Sequence, residues 1–112
     1  MDLKKEIKNN VGIIKICGDT SISAEKKLFD MIKTICAKTK NRLILDLSEC
    51  TYIDSGAIGS IILINKYISD NGGKFCISRI TLEEIEKLFS AAKLYQLITK
   101  FNSAEEALLN YF

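Results

Sequence analysis

Apolar positions along this chain recur with two periods, and the switches between them divide it into elements. From Leu3 to Lys8 apolar and polar residues alternate weakly, and Val11 to Cys17 (VGIIKIC) is rich in β-branched residues. Asn9-Asn10 between them tolerates the backbone of a tight hairpin turn, so the two stretches are expected to pair antiparallel. Gly18-Asp19-Thr20-Ser21 then punctuates the chain. From about Ser23 to Lys38 the period becomes helical, with Leu28, Ile32, Ile35 and Thr39 on one stripe, widened by Phe29 and Cys36. The remaining face carries Lys26, Lys27, Lys33 and Lys38, which reads either as a solvated surface or as a basic patch for an acidic partner. Arg42 to Leu47 (RLILDL) has the length and residue types of a buried strand.

A second helix is expected to open at Ser55. Ala57, Ile61, Ile64 and Ile68 repeat at helical spacing, while Ile58, Ile62 and Leu63 carry apolar surface toward the flanks, so burial on more than one side is expected. Gly72-Gly73 ends it, and Lys74 to Ser78 (KFCIS) is the next short strand. Thr81-Leu82-Glu83-Glu84 reads as a capping box with Thr81 as N-cap, Glu84 at N3, and Ile80 and Ile85 as a hydrophobic staple. Ile85, Leu88, Phe89 and Ala92 form the buried stripe of that third helix. Leu94 to Phe101 supplies a last extended segment around Ile98, and Ser103 with Glu106 makes a second capping box, opening a terminal helix whose Ala104, Ala107, Leu108 and Tyr111 face inward. The resulting order predicts an α/β fold with a small mixed β-sheet flanked by about four helices.

Composition narrows the function classes. The 112 residues, 47% hydrophobic, suffice for one core, so residues 1–112 are read as a single domain. The net charge of +2 comes from 16 basic and 14 acidic residues spread along the chain, which gives no compositional support to direct nucleic-acid binding. Cys17, Cys36, Cys50 and Cys76 lie far apart, with no C-x-x-C pair and no histidine, so zinc spacings are missing and reduced, mostly buried thiols are expected. The start MDLKKEIKNN lacks an apolar signal region, and the longest wholly apolar run, Ile61 to Ile64, is far short of the roughly 20 residues a membrane span needs. A cytoplasmic protein without a membrane span is the expectation. Asp46 ends an apolar strand, where α/β enzymes often place an acid, but no histidine or Gly-rich phosphate loop accompanies it. It reads as a strand-end support, and nothing in sequence identifies a group that would activate Cys50. No enzyme, cofactor or metal site can be assembled from these motifs.

What remains is the turn Asp54-Ser55-Gly56. It sets a hydroxyl and a carboxylate at a helix start, where unpaired N–H groups and the dipole favour oxygen acceptors and negative charge. Ser55 is then either the N-cap or an exposed reactive hydroxyl. Gly56 and Gly59 cost about 1 kcal/mol each relative to Ala inside a helix. Either a partner approaches the backbone there, or the helix packs tightly on the sheet.

The segment DLSECTYIDSGAIGSI resembles the signature of the STAS-domain anti-sigma-factor antagonists, in which a strand ending in Asp-Leu leads into an aromatic-apolar-Asp-Ser motif that opens a helix. The element order and the C-terminal stretch IEKLFSAAKLYQLITKFNSAEEALLNY are similar to that family too. The resemblance implies a binding module whose Ser55 is phosphorylated by a serine-kinase anti-sigma factor and dephosphorylated by a PP2C-type phosphatase. Unphosphorylated, it would occupy the kinase and release a sigma factor. Asp19, Ser21, Asp54, Gly56, Ile58 and Gly59 take partner-binding positions by the same resemblance, although a turn-stabilising role for Asp19 is equally open. This chain departs from the pattern with Gly56-Ala57 after the serine and Thr20-Ser21 after Gly18-Asp19. The alternative is a constitutive STAS-type subunit of a transport-associated or signalling-scaffold complex.

Overall fold

The computed structural model describes residues 2–19 and 22–112, and side chains for 2–18 and 26–112. Asn9 and Asn10 both take positive φ (54° and 62°), the backbone of a type I′ turn, which matches the right-handed twist of the strands it joins. Strands β1 (Asp2–Lys8) and β2 (Val11–Asp19) accordingly pair antiparallel, from Asp2 opposite Cys17 to Lys8 opposite Val11. Helix α1 (Ile22–Lys38) crosses to β3 (Arg42–Tyr52), α2 (Ser55–Asp70) to β4 (Lys74–Ser78), and α3 (Glu83–Ala91) with a 3-10 turn (Leu94–Gln96) to β5 (Thr99–Phe101). These crossovers make β2 to β5 parallel, in the order β1-β2-β3-β4-β5, and α4 (Ala104–Asn110) closes the described chain. The sheet is mixed and flanked by four helices, as the pattern predicts.

Strand alternation splits the core in two. Ile14, Ile16, Leu43, Leu45, Leu47, Phe75 and Ile77 join the inward residues of α1, α2 and α3 in the main cluster. Val11, Ile13, Ile44 and Cys76 point the other way, against Ala107 of α4. The α1 stripe holds as expected, and Thr39, buried just past the helix, donates its hydroxyl hydrogen to the Ile35 carbonyl at 2.9 Å. At the end of α2, Gly72 (φ 73°) and Gly73 donate to Ser69 and Ile68, the Schellman closure that a glycine in the left-handed region permits.

Burial of Cys36, Cys50 and Cys76 follows the sequence reading, and it pushes the Cys36 thiol up to about 11 and that of Cys76 up to about 12. Both stay protonated near neutral pH and are poor nucleophiles. Among the described residues no helix is long and apolar enough to cross a membrane.

Four local expectations are corrected. Strand β3 continues five residues beyond Leu47, to Tyr52, because its backbone keeps pairing with β2 through two register shifts, out to Asp19 opposite Tyr52. The first capping box does not form. Thr81 gives its hydroxyl hydrogen to the Ser48 carbonyl of the lengthened β3 at 3.1 Å, and the N-cap of α3 falls one residue later, on Leu82, with no side-chain cap. Glu83, Glu84 and Glu86 in the first turn favour that N-terminus electrostatically instead. Ala92 is exposed at the C-cap of α3, outside the buried stripe. Leu94 to Phe101 divides into a 3-10 turn (Leu94–Gln96), entered through left-handed Lys93 (φ 57°), and a short strand (Thr99–Phe101), with buried Ile98 between them and outside the strand. The second box forms in its N-cap half: Ser103 Oγ accepts from the Glu106 N–H at 3.0 Å, while Glu106 Oε1 accepts from the Asn102 N–H at 3.4 Å, one residue before the Ser103 N–H that a full box would use.

Candidate functional site

The strand-to-helix turn after β3 is built from a short sequence of commitments. Ile53 is buried and pins the chain to the main core. Asp54 follows in extended conformation (φ −95°, ψ 175°), and its Oδ1 accepts the Ala57 N–H at 2.7 Å. Asp54 is therefore the N-cap, and Ser55 is the first residue of α2. Its side chain is exposed, and among the described residues its hydroxyl makes no hydrogen bond. Of the two sequence readings of Ser55, the capping one falls to its neighbour.

Helix geometry determines what Ser55 shares its surface with. At about 100° per residue, Gly59, Ile62, Leu63 and Lys66 fall within about 80° of Ser55, while Ala57, Ile61, Ile64 and Ile68 fall on the opposite side and Ile58 lies on the flank, about 60° from Ser55 in the direction away from Leu63. The latter five are buried, whereas Ile62 is 38% and Leu63 59% exposed. Burial on more than one side, expected from composition, is thus corrected to burial on one side. Ile58 lies in the main core at 7% exposure, which removes its side chain from the partner-binding surface that the resemblance assigned to it. Gly59 resolves the other way. A Cβ built there meets no atom within 4 Å, so tight packing is not what the glycine serves, and the helix surface is left low at that point.

The β2–β3 pairing brings the second loop alongside. Gly18, at φ 84° in the left-handed region, pairs with Cys50, and Asp19 pairs with Tyr52, two residues before Asp54. Tyr52 is 57% exposed. Asp19 thus ends its strand beside the Ser55 turn, while Ser21 lies outside the described residues. Gly56 is half-buried in the first turn of α2. Sequence reasoning missed Tyr52, Ile62 and Leu63 as surface residues. The available signal was the angular position of Ile62 and Leu63 relative to Ser55, which a count of apolar residues ignores.

Away from this turn, Asp46 is 9% exposed and accepts the Ser48 N–H at Oδ1 (2.8 Å); because β3 runs on to Tyr52, it lies within the strand and not at the strand end that the sequence suggested. Lys15 pairs with Glu49 at 3.2 Å; that hydrogen bond raises the lysine and lowers the carboxylate from their ordinary values.

Solved structures of similar fold carry the comparison further. A candidate anti-sigma factor antagonist from Thermotoga maritima is 25% identical, with a TM-score of 0.82 over 96% of this chain and 92% of that one. SpoIIAA in its phosphorylated form, a Bacillus cell fate determinant, is 15% identical, with a TM-score of 0.76 over 99% of this chain and all of that one. A sulfate transporter family protein from Wolinella succinogenes, 15% identical, gives 0.77 over 94% and 87%. At 15% identity the last two show likeness of fold alone. A profile of the STAS domain matches residues 2–107, spanning the hairpin, the Asp54-Ser55 turn and most of α4. With that match and this sheet order, the chain belongs to the STAS domain family.

Proposed function

We propose that this chain is an anti-sigma-factor antagonist of the cytoplasm, a phosphorylation-switched binding module and not an enzyme. With Ser55 unmodified it holds a serine-kinase anti-sigma factor and so releases a sigma factor; phosphorylation of Ser55 ends that contact, and a PP2C-type phosphatase restores it. The observation that carries this reading is the exposed Ser55 hydroxyl, left uncommitted because Asp54 does the capping. The Thermotoga likeness supports it, and SpoIIAA, of the same fold, has been solved in both unphosphorylated and phosphorylated forms.

The switch has a physical basis in where the charge would land. A phosphoserine adds about −1.5 to −2 charges at neutral pH. At the first position of a 16-residue helix that charge meets unpaired N–H groups and the positive end of the dipole, so α2 is not expected to melt. The cost falls on the interface. The phosphate would stand next to Asp54 and at the end of a surface containing Ile62 and Leu63, where a docked partner would have to desolvate it. Asp19, Gly56 and Gly59 complete the proposed contact surface. Gly59 lets the partner come close to the helix.

A titration of wild type, Ser55→Ala and Ser55→Asp against the cognate anti-sigma factor tests the proposal. Ser55→Ala should bind about as well as wild type and accept no phosphate, while Ser55→Asp, with a single charge, should bind more weakly. Equal affinities for all three proteins, with no phosphate added to wild type, would favour the second reading, a constitutive subunit of a transport-associated complex. The fold likeness to the Wolinella sulfate transporter family protein is what keeps that reading in play.

A further inference from the structure

Strand β1 is one edge of the sheet, and among the described residues no strand pairs with its outer side. It is the longer of the two edges, seven residues against three in β5, and it is exposed throughout except at half-buried Leu3. A free edge of this length is a template for another strand, and lysines such as Lys4, Lys5 and Lys8 are a common deterrent to indiscriminate pairing.

The hairpin determines which backbone groups of that edge are free. A two-residue type I′ loop closes on a hydrogen-bonded pair, here Lys8 and Val11, and the register to β2 then runs without a bulge to Asp2 opposite Cys17. Bonded and non-bonded pairs alternate along an antiparallel ladder. Asp2, Lys4, Glu6 and Lys8 therefore turn their N–H and C=O groups to β2, and Leu3, Lys5 and Ile7 turn theirs outward. The side chains of these last three lie on the α1 face of the sheet, across from Ile16, Ile14 and Gly12. Leu3 packs on the main core, while Ile7 is 49% exposed beside a recess of about 270 Å³ that Thr34, Ile35 and Lys38 of α1 line on the other side.

We infer that a second copy of this chain pairs with this edge, β1 antiparallel to β1 about a twofold axis through Lys5, so that two sheets become one. In that register Leu3 exchanges backbone hydrogen bonds with Ile7 of the second copy and Lys5 with its own counterpart, so every outward group meets an outward group. Across the strands Asp2 faces Lys8 and Lys4 faces Glu6, each pair occurring twice by symmetry, and Leu3 lies against exposed Ile7 at the mouth of the recess. Neighbouring registers lack this match. With the axis on Lys4, that lysine meets itself and Asp2 meets Glu6; with the axis on Glu6, that carboxylate meets itself and Lys4 meets Lys8. Like charges directly opposite each other are destabilising, so the charges that deter a random strand select this one pairing. Lys5 against Lys5 on the axis is its single unfavourable pair.

Sedimentation equilibrium of the full chain, from about 10 μM to about 1 mM, tests this. One strand pair buries less than a standard interface, so association should be weak and appear as a mass rising toward the dimer across that range. Glu6→Lys, which sets Lys4 against a second lysine at both symmetric positions, should weaken the dimer roughly tenfold or more, and adding Lys4→Glu to it should restore the dimer. Lys5→Thr, which removes the like pair on the axis, should tighten it roughly threefold. Amide hydrogen exchange locates the contact: the Leu3, Lys5 and Ile7 amides should exchange more slowly at the high end of the range than at the low end, while those of Lys4, Glu6 and Lys8, bonded to β2 in either state, should not change. A monomer throughout, a dimer that Glu6→Lys leaves intact or the double change fails to restore, no tightening by Lys5→Thr, or exchange at the three outward amides that ignores concentration would each overturn the inference. No arm of the experiment involves Ser55.

Discussion

Helix α2 has two faces made of almost the same residue types and put to opposite uses. Its inner face, Ala57, Ile58, Ile61, Ile64 and Ile68, is buried against the sheet and α1. Its outer face, Ser55, Gly59, Ile62, Leu63 and Lys66, carries two large apolar side chains into solvent beside a hydroxyl that the helix cap does not use. What separates them is angle around the axis, not hydrophobicity. Exposed apolar side chains are common on protein surfaces, so what sets Ile62 and Leu63 apart is their position beside Ser55.

The largest effect expected from this contrast is at Ile64. Ile64→Ala, fully buried, should cost about 2–5 kcal/mol in denaturant unfolding, whereas Leu63→Ala, one residue on but outward, should stay within about 0.5 kcal/mol of wild type and instead weaken anti-sigma-factor binding. Equal destabilisation by the two would break the division of faces. Next come Asp54 and Ser55: Asp54→Ala should lose about 1 kcal/mol with the cap, while Ser55→Ala should be close to neutral in the same measurement. A larger loss at Ser55 would return the capping role to it. The smallest effect is at Gly59, and its sign is the informative part. Gly59→Ala meets no neighbouring atom and should stabilise the protein by up to about 1 kcal/mol, yet reduce partner affinity because the added methyl stands on the proposed docking surface. Unchanged affinity would take Gly59 out of that surface.

The same contrast explains how far the sequence could be read. Local signals were legible wherever the partner groups lie within a few residues: Asn9-Asn10 gave the hairpin, Gly72-Gly73 the end of α2, and Ser103 with Glu106 the start of α4. They failed where a distant strand intervened. Thr81 has the same capping sequence as Ser103, but its hydroxyl is drawn to Ser48, 33 residues away, and that carbonyl is in reach only because β3 runs past its apolar stretch. Strand length was illegible for a related reason, since Ser48 to Tyr52 pair through backbone groups that every residue type carries. At the candidate site the Asp54-Ser55 start was readable from residue types. The partition between cap and exposed hydroxyl was not, because both residues are good caps and only the backbone geometry chooses between them. Ile62 and Leu63 were misplaced because apolar character predicts burial only on average.

The most direct test of the central claim is the affinity of the cognate anti-sigma factor for two forms of this protein, one unmodified and one carrying phosphoserine at position 55 in full stoichiometry. The added charge and its desolvation should weaken binding roughly tenfold or more, while the far-ultraviolet spectrum and the unfolding midpoint stay the same or the midpoint rises slightly. Equal affinity of the two forms, or a loss of affinity accompanied by loss of the fold, would contradict the account of Ser55 as a switch acting at the interface.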